Sequence, residues 1–135
     1  KTSRTGVTVP ATTDGNIFSG TYTPTLTNTT NVASSVASQC QYMRVGDVVT
    51  VSGSVSIDPT TAATQSSLGV SLPIASSFTA GRQLGGAGSS NSTVKYGDNV
   101  LAIYADTTNN IAIFRFNPTG AASESYVFSF TYWVI

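Results

Sequence analysis

The sequence predicts an all-β domain, an antiparallel β-sandwich of jelly-roll type with about eight strands. Three observations carry this. From Ile17 onward apolar and polar residues alternate with period two, and no helical period is sustained. Turn signals rich in Gly, Asn, Asp and Pro recur every ~8–12 residues. The segments between them are filled with β-branched and aromatic residues, which suit a pleated, half-buried surface.

The elements follow in order. Lys1 to Asn16 holds Thr, Gly, Pro and two basic residues and reads as an extended arm or linker; Thr12-Thr13-Asp14-Gly15-Asn16 is a turn signal, and one domain spans 17–135. Ile17 to Leu26 reads as a first strand, with Pro24 marking an edge or bend. Asn28 to Ser35 reads as a polar loop. Ala37 to Val45 and Asp47 to Ile57 form a hairpin turned at Gly46, and Gly53 marks a bulge or a close backbone approach. Asp58-Pro59 stops that arm. Ser67 to Ile74 places Leu68, Val70, Leu72 and Ile74 on one face. Arg82 to Ser90 is expected to be a Gly-rich strand packed closely on a neighbour, and Thr93 to Tyr96 a short strand closed by Gly97-Asp98-Asn99. Val100 to Ala105 and Ile111 to Phe116 make a second hairpin across 106–110. Glu124 to Ile135 is the most apolar strand, with Tyr126, Phe128, Phe130, Tyr132 and Val134 on one face and Val127, Thr131, Trp133 and Ile135 on the other. A strand apolar on both faces belongs at the centre of a sheet, or between its own core and a partner.

Composition narrows the function. Of the 135 residues 40% are hydrophobic but only 9% are charged, against a usual ~25%. Hydroxyls and amides must therefore cover the surface. Six basic residues balance six acidic ones, so there is no basic stripe to neutralise phosphates, and nucleic-acid binding is not expected. No run approaches the ~20 apolar residues of a membrane-spanning helix, so no membrane insertion is expected. A small neutral domain with so little charge should dissolve poorly on its own. Its surface is expected to be covered by sister copies or by a larger particle. The first residue is not Met, which is expected of a fragment or a processed product.

Catalytic chemistry finds few tools. Histidine is absent, which removes the commonest general base and metal ligand, and every Ser-His-Asp arrangement with it. Cys40 is the lone cysteine, read as a buried small residue with no His to activate it. The carboxylates are Asp14, Asp47, Asp58, Asp98, Asp106 and Glu124; most sit in turns or at a strand end, where Asp serves turn geometry. A two-carboxylate glycosidase and calcium at a turn carboxylate are the readings weighed against that. Gly85-Gly86-Ala87-Gly88 lacks the Lys-Ser/Thr of a phosphate loop. Asn28-Thr29-Thr30 and Asn91-Ser92-Thr93 match a glycosylation pattern that matters only in a secreted eukaryotic protein. No enzymatic activity, cofactor or metal site is expected. Aromatic rings can stack on sugars while Ser, Thr and Asn bond their hydroxyls, so Tyr96, Tyr104 and Trp133 are binding candidates, each weighed against a core or interface role.

The run from Ser19 to Pro59, SGTYTPTLTNTTNVASSVASQCQYMRVGDVVTVSGSVSIDP, resembles a module of tailed-bacteriophage fibre and other virion surface proteins. GTYTPTLTN and QYMRVGDVVTVSG are its most specific parts; LGVSLPIAS (Leu68 to Ser76) and YVFSFTYWVI (Tyr126 to Ile135) fit the same module. The resemblance implies a C-terminal domain after a fibrous stem, assembled as a homotrimer on the virion surface, that recognises a host-surface polysaccharide or protein, or caps the fibre. It transfers no binding residue. Tip loops at 28–35, 60–66 and 106–110 are expected to carry specificity, with Asn31, Thr108 and Asn109 beside Tyr96 and Tyr104 as candidates for ligand contact. Tyr126, Phe128, Phe130, Tyr132 and Trp133 are expected at the trimer interface. The rival expectation is a head-decoration or head-fibre protein that clamps capsomers through a flat apolar surface. A carbohydrate-binding module attached to an enzyme is a third.

Overall fold

The computed structural model describes residues 17–91 and 99–135. They form ten antiparallel strands: β1 Ile17–Tyr22, β2 Leu26–Thr30, β3 Val32–Ala37, β4 Cys40–Val45, β5 Val48–Pro59, β6 Ser66–Val70, β7 Leu84–Ser90, β8 Val100–Asp106, β9 Ile111–Phe116 and β10 Glu124–Trp133. A single 3₁₀ turn, Gly81–Gln83, precedes β7. The all-β antiparallel expectation holds. The arm at 1–16, the short strand expected at Thr93 to Tyr96 and most of the turn after it lie outside the described residues.

All ten strands belong to one continuous sheet in the order β1-β4-β5-β10-β7-β8-β9-β6-β2, with β3 also paired to β5. Twelve-residue β5 is long enough to serve two partners on one edge: β4 along Val48–Ser52 and β3 along Val55–Pro59. Gly53 lies where those partners diverge. A Cβ there would fall 2.3 Å from the Cys40 sulfur, so the close approach expected at this glycine is real. The sheet curls strongly. Phe114 on β9 is three strands from β10 in pairing order, yet its ring centroid is 4.7 Å from that of Phe128. Facing walls therefore meet across one core.

Several boundaries differ from the sequence expectation, each for a local reason. The first strand breaks at Thr23–Thr25 because Pro24 donates no ladder hydrogen bond, and the Thr25 N–H turns to the Ser71 hydroxyl at 2.8 Å. The stretch 28–35 is not a loop: it is the end of β2 and most of β3, joined through Asn31 alone. Its side chains are polar because they face outward, while backbone pairing to β6 and β5 satisfies the chain. The strand expected to reach Ile74 ends at Val70; Leu72 and Ile74 still pack on the core, and the Tyr132 hydroxyl donates to the Ile74 carbonyl at 2.8 Å.

The core is built by one face of each central strand. Val49, Val51, Val55 and Ile57 of β5 lie beside Tyr132, Phe130, Tyr126 and Glu124 of β10 in direct register. Leu101, Ile103, Ala112, Phe114, Phe116, Leu68 and Val70 close the opposite wall. β7 carries glycines beside β10 because β10 leaves no room: a Cβ on Gly86 would sit 2.3 Å from the Ser129 carbonyl oxygen and 2.6 Å from the Phe130 Cα. The tight Gly-rich strand expected from the sequence is thus present at the centre of the sheet.

Candidate binding surface

β10 decides which side of the sheet is available. Tyr126, Phe128, Phe130 and Tyr132 are buried in this chain's own core, so they are corrected from interface to core residues. The reason is register: Tyr126, Phe130 and Tyr132 lie beside the core positions Val55, Val51 and Val49 of β5, while Phe128, beside Gly53, packs on the Phe114 and Phe130 rings. Of the five side chains expected at an interface, only Trp133 points outward.

Around Trp133 the outer face is unusually apolar. Trp133 pairs with Val48, Val48 with Val45 and Val45 with Ile17, so four apolar side chains cross β10, β5, β4 and β1 in one row. With Met43 and Ile135 they make a six-residue patch in which every member is 39–58% exposed. Cross-strand neighbours of this kind lie about 4.5–5.5 Å apart, so the row is continuous. Its frame is rigid. The Ser76 hydroxyl donates to the Trp133 carbonyl at 2.6 Å and accepts from the Ile135 N–H, while the Val134 N–H bonds the Asp47 carbonyl. Beneath the β4–β5 turn Arg44 donates to the Gly46 carbonyl at 2.7 Å and to Asp47 at 3.2 Å.

Beside this row the surface turns concave. An open trough of about 560 Å³ is lined by Ser19, Gly20, Thr21, Gln41, Tyr42, Met43, Thr50 and Ser52. Thr50 shares a hydrogen bond of 3.3 Å with Thr131, and Gln41 donates to Ser52. The lining carries hydroxyls, amides and a thioether but no charge.

The loop candidates separate into two ends of the sheet. Asn31 is a clamp: in a left-handed conformation (φ 53°), its amide nitrogen donates to the Thr61 carbonyl and the Ser66 hydroxyl at 2.8 Å each, and its amide oxygen accepts from the Thr61 N–H. It holds the 60–66 loop, whose Ala63 N–H reaches the Pro118 carbonyl. The 106–110 turn lies at the other end of β9. There Asp106 accepts from the Thr108 and Asn109 N–H groups and from the Asn109 amide, which holds its carboxyl below the usual range. Asn109 therefore shapes the turn, and Thr107, Thr108 and Asn109 are all exposed. Tyr104 stands on the outer face under Arg115, whose guanidinium lies 4.9 Å from the ring centroid and donates to the phenol. Tyr96 is outside the described residues.

A buried polar cluster, not expected from the sequence, ties the 60–66 end together. Glu124 accepts from Ser90 at 3.0 Å and from Asn99 at 2.6 Å; Asn99 also bonds the Tyr126 hydroxyl and the Thr119 N–H. Its partners among the described residues are neutral, and its geometry is that of a lock joining β7 and β10 to Asn99 just before β8. Burial pushes Tyr126 and Tyr132 up to about 12 and Tyr22 higher still. Cys40 is buried as expected, and burial raises its thiol also. Among the described residues no three His, Cys, Asp or Glu side chains come together to hold a metal ion, and no helix is long and apolar enough to cross a membrane. Comparison with protein-family models, with curated proteins and with solved structures gave no match.

Proposed function

We propose that this chain is a non-enzymatic assembly and surface-recognition domain of a virion appendage, a fibre-tip domain that works as a homotrimer and binds a host-surface polysaccharide or protein. The observation that carries the proposal is the apolar patch around Trp133 on an otherwise neutral, hydroxyl-rich outer face. Patches of this kind on a soluble domain mark places where another surface docks. In this reading the curled sheet acts as a jelly-roll-like sandwich, a view supported by the Phe114 and Phe128 rings meeting across the core. The scaffold then presents loops at 60–66 and 106–110 at opposite ends, and weak single contacts gain strength from several copies. The same patch also favours the rival, a capsid-decoration protein, because a clamp needs a flat apolar docking face.

The test is adsorption. Fluorescently labelled chain is incubated with a panel of bacterial cells and isolated envelope polysaccharides. Saturable binding to some surfaces, lost when 60–66 or 106–110 is exchanged, supports the fibre-tip reading. No adsorption anywhere on the panel, with tight binding to capsids instead, would transfer the assignment to the decoration reading.

A further inference from the structure

We infer that the outer face of β1, β4, β5 and β10 is the contact between copies of this chain, with the Trp133 indole of one copy seated in the trough of the next. The inference rests on the assembly reading above and gives it a face, an occupant and an anchor residue.

Three features select a second copy as the occupant. The first is a knob and a hole on one face. Trp133 projects from a row whose next register row contains Thr131, Thr50, Met43 and Ser19, and three of these line the trough of about 560 Å³. That volume is ample for an indole, and buried Trp side chains seated in pockets are the usual anchors of protein interfaces. A face bearing both halves of the contact is complementary to itself.

The second feature is charge. Among the described residues the patch and the trough lining contain no charged side chain, and Asp47 at their margin is paired to Arg44. Two copies can therefore approach without like-charge repulsion. The third is area. Six apolar side chains, each about half exposed, remove roughly 600 Å² per copy, which reaches the lower bound of about 600 Å² per partner for a specific interface. Repeated head to tail about a three-fold axis, the knob-in-hole contact closes into the trimer; about a two-fold axis it gives a dimer.

Light scattering on the full chain tests this, with two variants that leave the core untouched. Val45→Thr/Val48→Thr keeps β-branched residues on exposed strand positions, and Thr50→Arg places a bulky charge in the trough. The wild-type chain is expected to run at a multiple of its 13.9 kDa monomer mass, with each variant dissociating at roughly tenfold or more higher concentration. Circular dichroism confirms that the variants fold. A wild-type oligomer that both folded variants leave intact would overturn this face while leaving the assembly reading standing. A wild-type chain that stays monomeric at high concentration would overturn both.

Discussion

Gly85 and Gly86 are chain neighbours on a central strand, and they should respond in opposite ways to the same added methyl group. Gly86 pairs directly with the buried Phe130, and a Cβ there would lie 2.3 Å from the Ser129 carbonyl oxygen, 2.5 Å from the Phe130 Cβ and 2.6 Å from its Cα. Two of those three atoms are backbone of the paired strand, so relief requires moving β10 itself, the strand that supplies the fully buried Tyr126, Phe130 and Tyr132. Overpacking typically costs about 1–3 kcal/mol, and a backbone clash in a central strand belongs at or above the top of that range. Gly86→Ala is therefore expected to lose about 3 kcal/mol, or roughly 10 °C in Tm for a domain of this size. Gly85 faces outward, and a Cβ there meets nothing within 4 Å. Gly85→Ala should be neutral or gain roughly 0.5–1 kcal/mol, because Ala loses less backbone freedom in a strand. Urea titrations of both variants, followed by aromatic circular dichroism, measure the difference. Equal stability for the two would refute the assigned face of β7 and with it the β7–β10 register.

Other consequences follow from the polar clamps and the buried phenols. Asn31→Ala removes the amide that holds the 60–66 loop and places a Cβ-bearing residue without that compensation at positive φ; a loss of about 2 kcal/mol, with earlier proteolysis in 60–66, is expected. Asn99→Ala leaves one Glu124 oxygen and the Thr119 N–H without their partner inside the protein, which should cost about 2–3 kcal/mol by thermal melting. Asn99→Asp should be worse, since it brings a second acid group against Glu124. The tyrosines give a pH signature. Tyr126 and Tyr132 have folded values near 12 against 10 unfolded, so their contribution is intact below about pH 10 and is lost as pH rises toward 12. Stability should therefore fall across that window, so alkaline unfolding should begin above pH 10 and coincide with phenolate absorbance. Phenolate appearing well below unfolding would contradict the burial.

Much of the fold is legible in the chain because alternation reports a one-sided burial. The β4–β5 and β8–β9 hairpins, the Gly-rich β7 and the central position of β10 all follow from it. β2 and β3 are hidden for a physical reason: Leu26 to Ala37 pairs its backbone but sends mostly Thr, Ser and Asn to solvent, so composition imitates a loop. The face of β10 is ambiguous in the same way. Both sides are apolar, and only lateral pairing with Val49, Val51 and Val55 decides that Tyr132, Phe130 and Tyr126 turn inward. Trp133 then falls outward by parity. The row Ile17, Val45, Val48 and Trp133 joins residues as far as 116 positions apart, which no local pattern reveals. Asn31 and Asn109 look like free amides in a polar stretch; their bonds to loop backbone and to Asp106 come from turn geometry.

Trp133 is the only tryptophan in the chain, so its fluorescence reports directly on the surface at the centre of this account. Emission and acrylamide quenching measured across a dilution series of the full chain form the decisive measurement. An indole that enters a neighbouring copy is expected to emit further to the blue and resist quencher at high concentration, and to shift red and become accessible on dilution. Emission that stays red and fully quenchable at every concentration, in a chain whose mass shows it to be assembled, would contradict the account, because copies would then be meeting through some other face.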